Sequence, residues 1–434
     1  MSGRLSFVLV WTLLWFGAAG AFGGGEASTP QNGSPHPPSV PGSASVVPDG
    51  LVLGGMPGPS YSPFYRHLPV GPDGIVTERL PEDVGGFYGE SPVDAFLLQT
   101  FKNTWVRLEY LHWNYERPGD TTLGAPLLGV DDPRQPFPVT VGTTLQGFAY
   151  VEDLGSLNLR DNQGLRASIG LPIGAGTIEA NIFSFQEGRA GFERIIEDPP
   201  VGASTGTYIA TSTYLDHQRS RNVFLYDVSF AANFTSDFWG AEINYVLDPL
   251  VPGPGFKIRP LFGFQFFDLE ERLTQIGLFD QNGFLTTPQV TTIDSIAKNR
   301  IYAPQLGVRF EYVHRWFTIG VEPKIAFGIN VYEDRVLADQ VRSTADPTVV
   351  TISRNEKFAP IGDIEVRGQV HLTRNFSFFI SYQILIAAGI TRPQNNIYYN
   401  DFGPNAPLSG IVVRPAFDNM IIQGLSVGGE LRFR

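Results

Sequence analysis

From Trp105 onward, apolar and polar residues alternate with a period of two, which places successive side chains on opposite faces of an extended strand. The clearest stretch puts Tyr302, Pro304, Leu306, Val308, Phe310 and Tyr312 on one face, with Gln305, Gly307, Arg309 and Glu311 on the other. After a turn at His314-Arg315 the pattern resumes: Phe317, Ile319, Val321, Pro323, Ile325 and Phe327 oppose Thr318, Gly320, Glu322 and Lys324. A further pair joined at Thr373-Arg374-Asn375 sets Ile364, Val366, Val370 and Leu372 against Asp363, Glu365, Arg367, Gln369 and His371, and continues through Phe376, Phe378, Ile380, Tyr382, Ile384 and Ile386. The pattern predicts strands near 105–115, 144–151, 164–172, 177–186, 222–232, 237–246, 257–270, 300–313, 316–329, 361–373, 375–388 and 420–433. A further strand pair would fit around Tyr208 to His217, because 187–221 is too long for a tight turn. Loops at 271–299, 330–360 and 389–419 connect the other ends.

The best of these strands run 12 to 14 residues, against about 5–6 in ordinary globular sheets and roughly 9–11 for a tilted membrane-crossing strand. Charges of both signs fall on one face of these long strands. Both features predict an all-β fold: a closed antiparallel transmembrane β-barrel of about twelve strands (10–14), with its apolar face toward lipid and its polar face toward a lumen. The candidate lumen-lining residues are Arg309, Glu311, Glu322, Lys324, Asp363, Glu365, Arg367 and Gln369. The competing reading, a secreted soluble β-sandwich, requires shorter strands and no lipid.

Composition agrees. Of 434 residues, 48 are Gly, 34 Pro and 33 Phe, a mix poor for helices and good for strands and turns. There is no cysteine, which removes disulfides, thiolate nucleophiles and Cys-ligated metals. A formal net charge of −12 opposes a nucleic-acid partner, whose phosphates need a basic surface. Residues 1–21 carry Arg4, an apolar run from Leu5 to Phe16 and Ala19-Gly20-Ala21, the layout of a cleaved signal peptide, with an uncleaved anchor as the alternative. Residues 22–100 are rich in Gly, Pro and Ser and read as a disordered extension, leaving 101–434 for the barrel. The expected location is therefore a bacterial outer membrane.

The last strand alternates Leu425, Val427, Gly429, Leu431 and Phe433 with Ser426, Gly428, Glu430 and Arg432. Ser426, Gly428, Leu431 and Phe433 fit a terminal-strand signal read by outer-membrane assembly machinery through strand addition, although Arg434 follows the aromatic. Trp105, Trp113, Trp239 and Trp316 lie near predicted strand ends, where amphipathic rings would form a girdle at the lipid headgroups. Glu270-Glu271-Arg272 is either a solvated rim cluster or a salt bridge that anchors a loop.

The longer words Trp105-Val106-Arg107-Leu108-Glu109-Tyr110-Leu111-His112-Trp113, Phe238-Trp239-Gly240-Ala241-Glu242-Ile243-Asn244-Tyr245, Leu261 to Leu273, Asn299-Arg300-Ile301-Tyr302 and Gln305-Leu306-Gly307-Val308-Arg309, in this order and spacing, resemble the seventh "putative beta-barrel porin" family of bacterial outer-membrane proteins over roughly 100–434. The resemblance implies a barrel in the outer membrane and no established enzymatic activity. Where that family has a Tyr-Trp pair before an Arg-Pro step, this chain has Ala387-Ala388-Gly389-Ile390-Thr391-Arg392-Pro393.

No catalytic constellation stands out. His36, His67, His112, His217, His314 and His371 lack the close spacing of metal ligands, and no GxSxG, phosphate-binding glycine loop or Asp-rich calcium loop occurs. The sequence thus predicts no enzyme, no cofactor and no metal. Its partners would be outer-membrane lipid and the assembly machinery, and its function passive diffusion of small hydrophilic solutes. The alternative is a non-conducting barrel whose long loops bind.

Overall fold

The computed structural model describes residues 102, 104–159, 161–196, 206–251, 253, 255–281 and 285–433. The expected signal peptide and extension, with His36 and His67, lie outside the described residues. Among the described residues there is no helix.

Ten strands pair antiparallel in a ring: β1 (Trp105–Tyr115), β4 (Asn162–Ile173), β5 (Gly176–Phe185), β9 (Ser229–Leu247), β10 (Gly255–Phe279), β11 (Gln289–Val313), β12 (Phe317–Asp339), β13 (Val349–His371), β14 (Phe376–Thr391) and β18 (Phe417–Arg432). The order β1-β4-β5-β9-β10-β11-β12-β13-β14-β18 returns to its start, because first and last strands pair from Trp105↔Arg432 to Tyr115↔Ile422. A short strand β6 (Gly188–Ile195) continues the line of β5 along β9.

The connections sort the ring into two ends. At one end lie both described chain ends and the turns 174–175, 248–254, 314–316 and 372–375. The first of these turns needs two residues only because Gly174 takes φ +62°, a left-handed conformation that costs glycine nothing. At the other end lie the longer connections. The one after β1 holds β2 (Phe137–Val141) and β3 (Thr144–Tyr150), and that between β6 and β9 holds β7 (Gly206–Leu215) and β8 (Gln218–Tyr226). The connection between β14 and β18 holds β15 (Ile397–Tyr398), β16 (Asn400–Asp401) and β17 (Val412–Val413). Strands β2, β3, β7, β8 and β16 form a second, five-stranded sheet.

The expected strands are corrected in three places. The strand at 144–151 exists as β3 but belongs to the second sheet, as do the strands around Tyr208 to His217. The strands expected at 222–232 and 237–246 are resolved differently: the end of β8 precedes one unbroken β9, because the polar residues between them alternate with inward Phe230, Ala232, Phe234 and Phe238 rather than turning the chain. The loops expected at 271–299 and 330–360 are largely strand, so that β10 and β11 reach 25 residues and β12 and β13 reach 23.

Exposure divides the ring along its height. From the turn end to about the level of Phe266 and Tyr302, apolar side chains stand outward in the open: Leu306 is 56% exposed, Ile325 49% and Phe264 41%. On β11 this belt runs from Tyr302 to Tyr312, about 34 Å of strand at about 3.4 Å per residue, or about 26 Å of height at a tilt near 40°. Beyond it the outer face turns ionic, with Asp268–Arg300, Glu270–Lys298, Arg272–Asp294 and Glu333–Arg354 paired between neighbouring strands. There the apolar residues change sides. Phe267, Leu269, Leu273, Ile293, Ile301 and Val336 turn inward into one core with Phe230 and Phe234 of β9 and Leu123, Ile209, Tyr226, Ile397 and Tyr399 of the long connections.

Candidate functional site

Within the apolar belt, the ring's inner face is charged and buried. Alternation forces this: each strand that presents leucine, isoleucine or phenylalanine outward presents the intervening residue inward. Arg309 of β11 reaches Glu179 of β5 with two parallel hydrogen bonds of 2.8 and 2.6 Å and also donates to Glu322 of β12. Lys324 donates to Glu242 of β9 at 2.7 Å and lies 3.0 Å from Asp363 of β13, with only 4% of its side chain exposed. Gln383 of β14 donates 2.8 Å bonds to Asp363 and accepts one of 2.7 Å from Arg166 of β4. Gln305 bonds Glu242 and Asn244, and Asn181 also donates to Glu242. Arg367 donates to Glu365, and Arg107 to Glu430 at 2.6 Å. The contacts β5 to β11 and β4 to β14 join strands that are not neighbours in the ring, so they run across its interior. Charges taken out of water are costly unless their hydrogen-bonding capacity is met, and bidentate and shared contacts of this kind meet it.

All eight expected inner-face residues point inward. Arg309 and Lys324 make cross-ring contacts, Glu322 and Asp363 pair with them from neighbouring positions, Glu365 and Arg367 pair with each other on β13, Glu311 pairs with Arg259 at 3.5 Å nearer the turn end, and Gln369 is buried on the same face. Arg107, Glu109, Arg166, Glu179, Glu242 and Gln383, which pair with these residues or with one another on the same face, are not among the expected inner-face residues, although each is a lone polar residue at an alternate position between apolar ones; Glu430, expected on the polar face of the last strand, pairs with Arg107.

The tryptophans require a correction. Trp239 is 38% exposed on the outer face, whereas Trp316, 59% exposed, stands in the turn before β12 at the rim of the turn-end cavity. Trp105 and Trp113 share the inward face of β1 with Arg107 and Glu109 and are buried, so they stand in no outer girdle. Each lies against a glycine of the next strand, Trp105 opposite Gly170 and Trp113 opposite Gly424, where a Cβ would overlap the indole. Arg107 stacks on Trp105 at 4.0 Å from the ring centre. In the last strand Ser426 and Gly428 face inward, with Ser426 accepting from the Trp113 indole at 3.3 Å, while Leu431 and Phe433 face outward.

Above the belt, the segment after β14 is tied to the inner wall. Arg392 is 2% exposed and grips Glu271 of β10, itself wholly buried, with two 3.0 Å bonds, and it also donates to the carbonyls of Glu116 and Arg117. Of the two readings of Glu270-Glu271-Arg272, the loop-anchoring bridge holds for Glu271, while Glu270 pairs with Lys298 and Arg272 with Asp294 on the outer face. Burial works against the charge on Arg392, and Glu271 more than offsets it, holding the guanidinium above its ordinary pKa. Asn299 bonds both the amide and the carbonyl of Thr391, Ser295 bonds the Pro393 carbonyl, and Gln275 donates to the Tyr399 hydroxyl. Thr391 donates at 2.7 Å to Asp334, whose carboxyl burial pushes up to about 7. Further out, the tip of the β7–β8 hairpin at Asp216 and His217, both at positive φ, is held by the Asp401 carbonyl and the Asn400 side chain. The loop end is thus filled by the chain's own connections.

At the turn end a cavity of about 770 Å³ reaches inward as far as Glu179 and Arg309. Its other walls include Trp105, Lys257, Thr318 and Arg374. Among the described residues no group of His, Asp and Glu is placed to hold a metal ion. His112 lies beside Asp161, His314 sits in a turn, and His371 bonds Thr318 and Ser377.

Comparison with known proteins gives one match that carries weight. The family described as "Putative beta barrel porin-7" matches residues 105–433. No curated protein matches the chain. Among solved structures, the chain is similar to the outer membrane protease OmpT from Escherichia coli at 10% identity, covering 77% of this chain and 98% of that one, with a TM-score of 0.40. It is also similar to the transport unit of the autotransporter AIDA-I from Escherichia coli at 8% identity, covering 76% and 90%, with a TM-score of 0.23. Overlays at these scores carry no argument about activity.

Proposed function

Because this chain belongs to the putative beta barrel porin-7 family, we propose that it is a bacterial outer-membrane β-barrel of ten strands whose lumen is closed by its own side chains and loops, and whose work is done at its two ends. The observation that carries this reading is the exposed apolar belt, about 26 Å high at a strand tilt near 40°, surrounding an interior of ion pairs such as Arg309–Glu179 and Lys324–Asp363. A belt of that height suits a hydrocarbon core, and a salt-bridged interior leaves little room for bulk water. In this reading the turns 174–175, 314–316 and 372–375 face the periplasm, and the long connections with the second sheet face outward. Ser426, Gly428, Leu431 and Phe433 serve the assembly machinery, and Trp239 contacts headgroups. The closed interior favours a structural or loop-borne binding role, with no catalytic part for the histidines.

The family's designation favours a second reading, passive diffusion, which requires the Arg309–Glu179 layer and the Arg392 segment to part. Envelope fractionation and planar-bilayer recording decide between them. The protein is expected in the outer-membrane fraction, without steady single-channel conductance. Steady conductance of the folded protein would favour diffusion, and recovery in the soluble periplasm would end the barrel reading altogether.

A further inference from the structure

We propose that the turn-end cavity is a binding site for small multivalent anions bearing phosphate or carboxylate oxygens, held by Lys257, Arg315 and Arg374. The inference does not depend on whether the lumen conducts. The cavity, about 770 Å³, falls within the size of ordinary small-ligand sites. Its wall carries seven Lys and Arg side chains against three carboxylates, in a chain whose net charge is −12.

The pairing shows which cations are left for a ligand. Glu430 takes Arg107 and Arg432, Glu311 takes Arg259, and Glu179 takes Arg309. Every carboxylate in the wall is thereby engaged. Lys257, Arg315 and Arg374 have no carboxylate partner among the described residues. Lys257 opens β10, Arg315 sits in the turn before β12 and stacks over Trp316 at 5.2 Å, and Arg374 sits in the turn before β14. Separate elements therefore bring three uncompensated positive charges to one concave mouth. Low-dielectric walls around such a mouth focus its field outward, and a guanidinium presents the fork that fits phosphate and carboxylate oxygens. Trp105, Trp316 and Leu372 add apolar surface to the wall.

The test uses inorganic pyrophosphate as probe, titrated calorimetrically into the full chain in nanodiscs of zwitterionic lipid. The expected result is saturable binding that weakens with salt, and weakens about tenfold in Lys257→Gln/Arg315→Gln/Arg374→Gln. Arg354→Gln, on the outer face at the opposite end, should bind as the unaltered protein does. Single substitutions at the exposed Arg315 and Arg374 give graded losses should the triple variant fail to fold. Repeating the titration with phosphatidylglycerol in the disc separates two sources of the same chemistry: unchanged affinity assigns the site to a free anion, and affinity reduced in step with the anionic lipid assigns it to a headgroup. Absence of saturable binding to the folded protein, or equal binding by the altered and unaltered mouths, overturns the proposal.

Discussion

The lower and upper halves of the ring are made by the same strands and obey opposite rules. Between the turn end and the level of Phe266 and Tyr302, β10 and β11 show Phe256, Phe262, Phe264, Leu306 and Tyr312 to the outside and keep Arg309 and Gln305 within. A few residues further along the same strands, Asp268, Glu270, Lys298 and Arg300 stand outside, while Phe267, Leu269, Leu273 and Ile301 are buried. The pleat continues unbroken, so the inversion comes entirely from a change in the phase of the sequence. At Phe266-Phe267 and Ile301-Tyr302 two apolar residues stand side by side, and the apolar face changes from even to odd numbers. One segment is built for an apolar surrounding with a polar interior, and the other for water outside and a dry core inside. The long connections supply that core with its other half.

The largest effect expected from breaking this arrangement is at Arg392. Arg392→Ala leaves Glu271 buried without its partner, which should cost about 3–5 kcal/mol and free the segment after Thr391. Protease should then cut near 392–403 in protein that still resists elsewhere, and Glu271→Leu/Arg392→Met should restore much of the resistance. Next comes the outer face. Ile325→Arg in the belt should cost about 2–4 kcal/mol in lipid, whereas Asp268→Asn beyond it should change unfolding by no more than about 0.5–1 kcal/mol. Equilibrium unfolding in lipid vesicles compares them, and equal costs would show that the two outer faces meet the same solvent.

A pH-dependent effect belongs to Asp334 in the upper core. Burial raises its carboxyl from the ordinary value near 3.9 to about 7. The proton is therefore bound more tightly in the folded protein. The stabilisation is fully present below about pH 4 and is lost as pH rises through about 7. The melting temperature should be higher at pH 5 than at pH 8 by an amount that Asp334→Asn abolishes, and an unchanged difference in that variant would exclude Asp334 as its source. The least effect is expected from Arg354→Ala, which removes an exposed pair with Glu333 worth about 0–1 kcal/mol.

The lower half is legible in the sequence because one assumption, apolar outward and polar inward, holds for most of its positions, inward Trp105 and Phe379 being exceptions. Every expected inner-face residue from Arg309 to Gln369 follows that alternation. The assumption fails where the phase changes, so the alternation ends the expected strands at the belt's edge and leaves their continuations looking like loops. In β9 the polar Asn233 and Thr235 open a gap at 233–236 between two expected strands for the same reason. Residue type alone points Trp105 and Trp113 to an outer girdle, but their alternation with Val106, Leu108 and Tyr110 puts them inside, where Gly170 and Gly424 make room. The partners of the inner charges lie up to hundreds of positions away, as Arg107 and Glu430 do, and alternation names the face of a residue without naming what it meets across the ring. Arg392 offered the least warning, since nothing in a loop sequence says that it folds inward.

Spin labelling along β11 tests the inversion most directly, and the absence of native cysteine makes each introduced Cys unique. Labels placed singly from 293 to 312 in the protein reconstituted into vesicles should give high oxygen accessibility at 304, 306, 308 and 310. Water-soluble relaxant should reach 298 and 300, and neither reagent should reach 297, 301, 303 or 305. Oxygen accessibility that continued in the even phase through 298 to 294, or free access of the water-soluble relaxant to 303 and 305, would contradict a belt, a phase change and a filled interior at those levels.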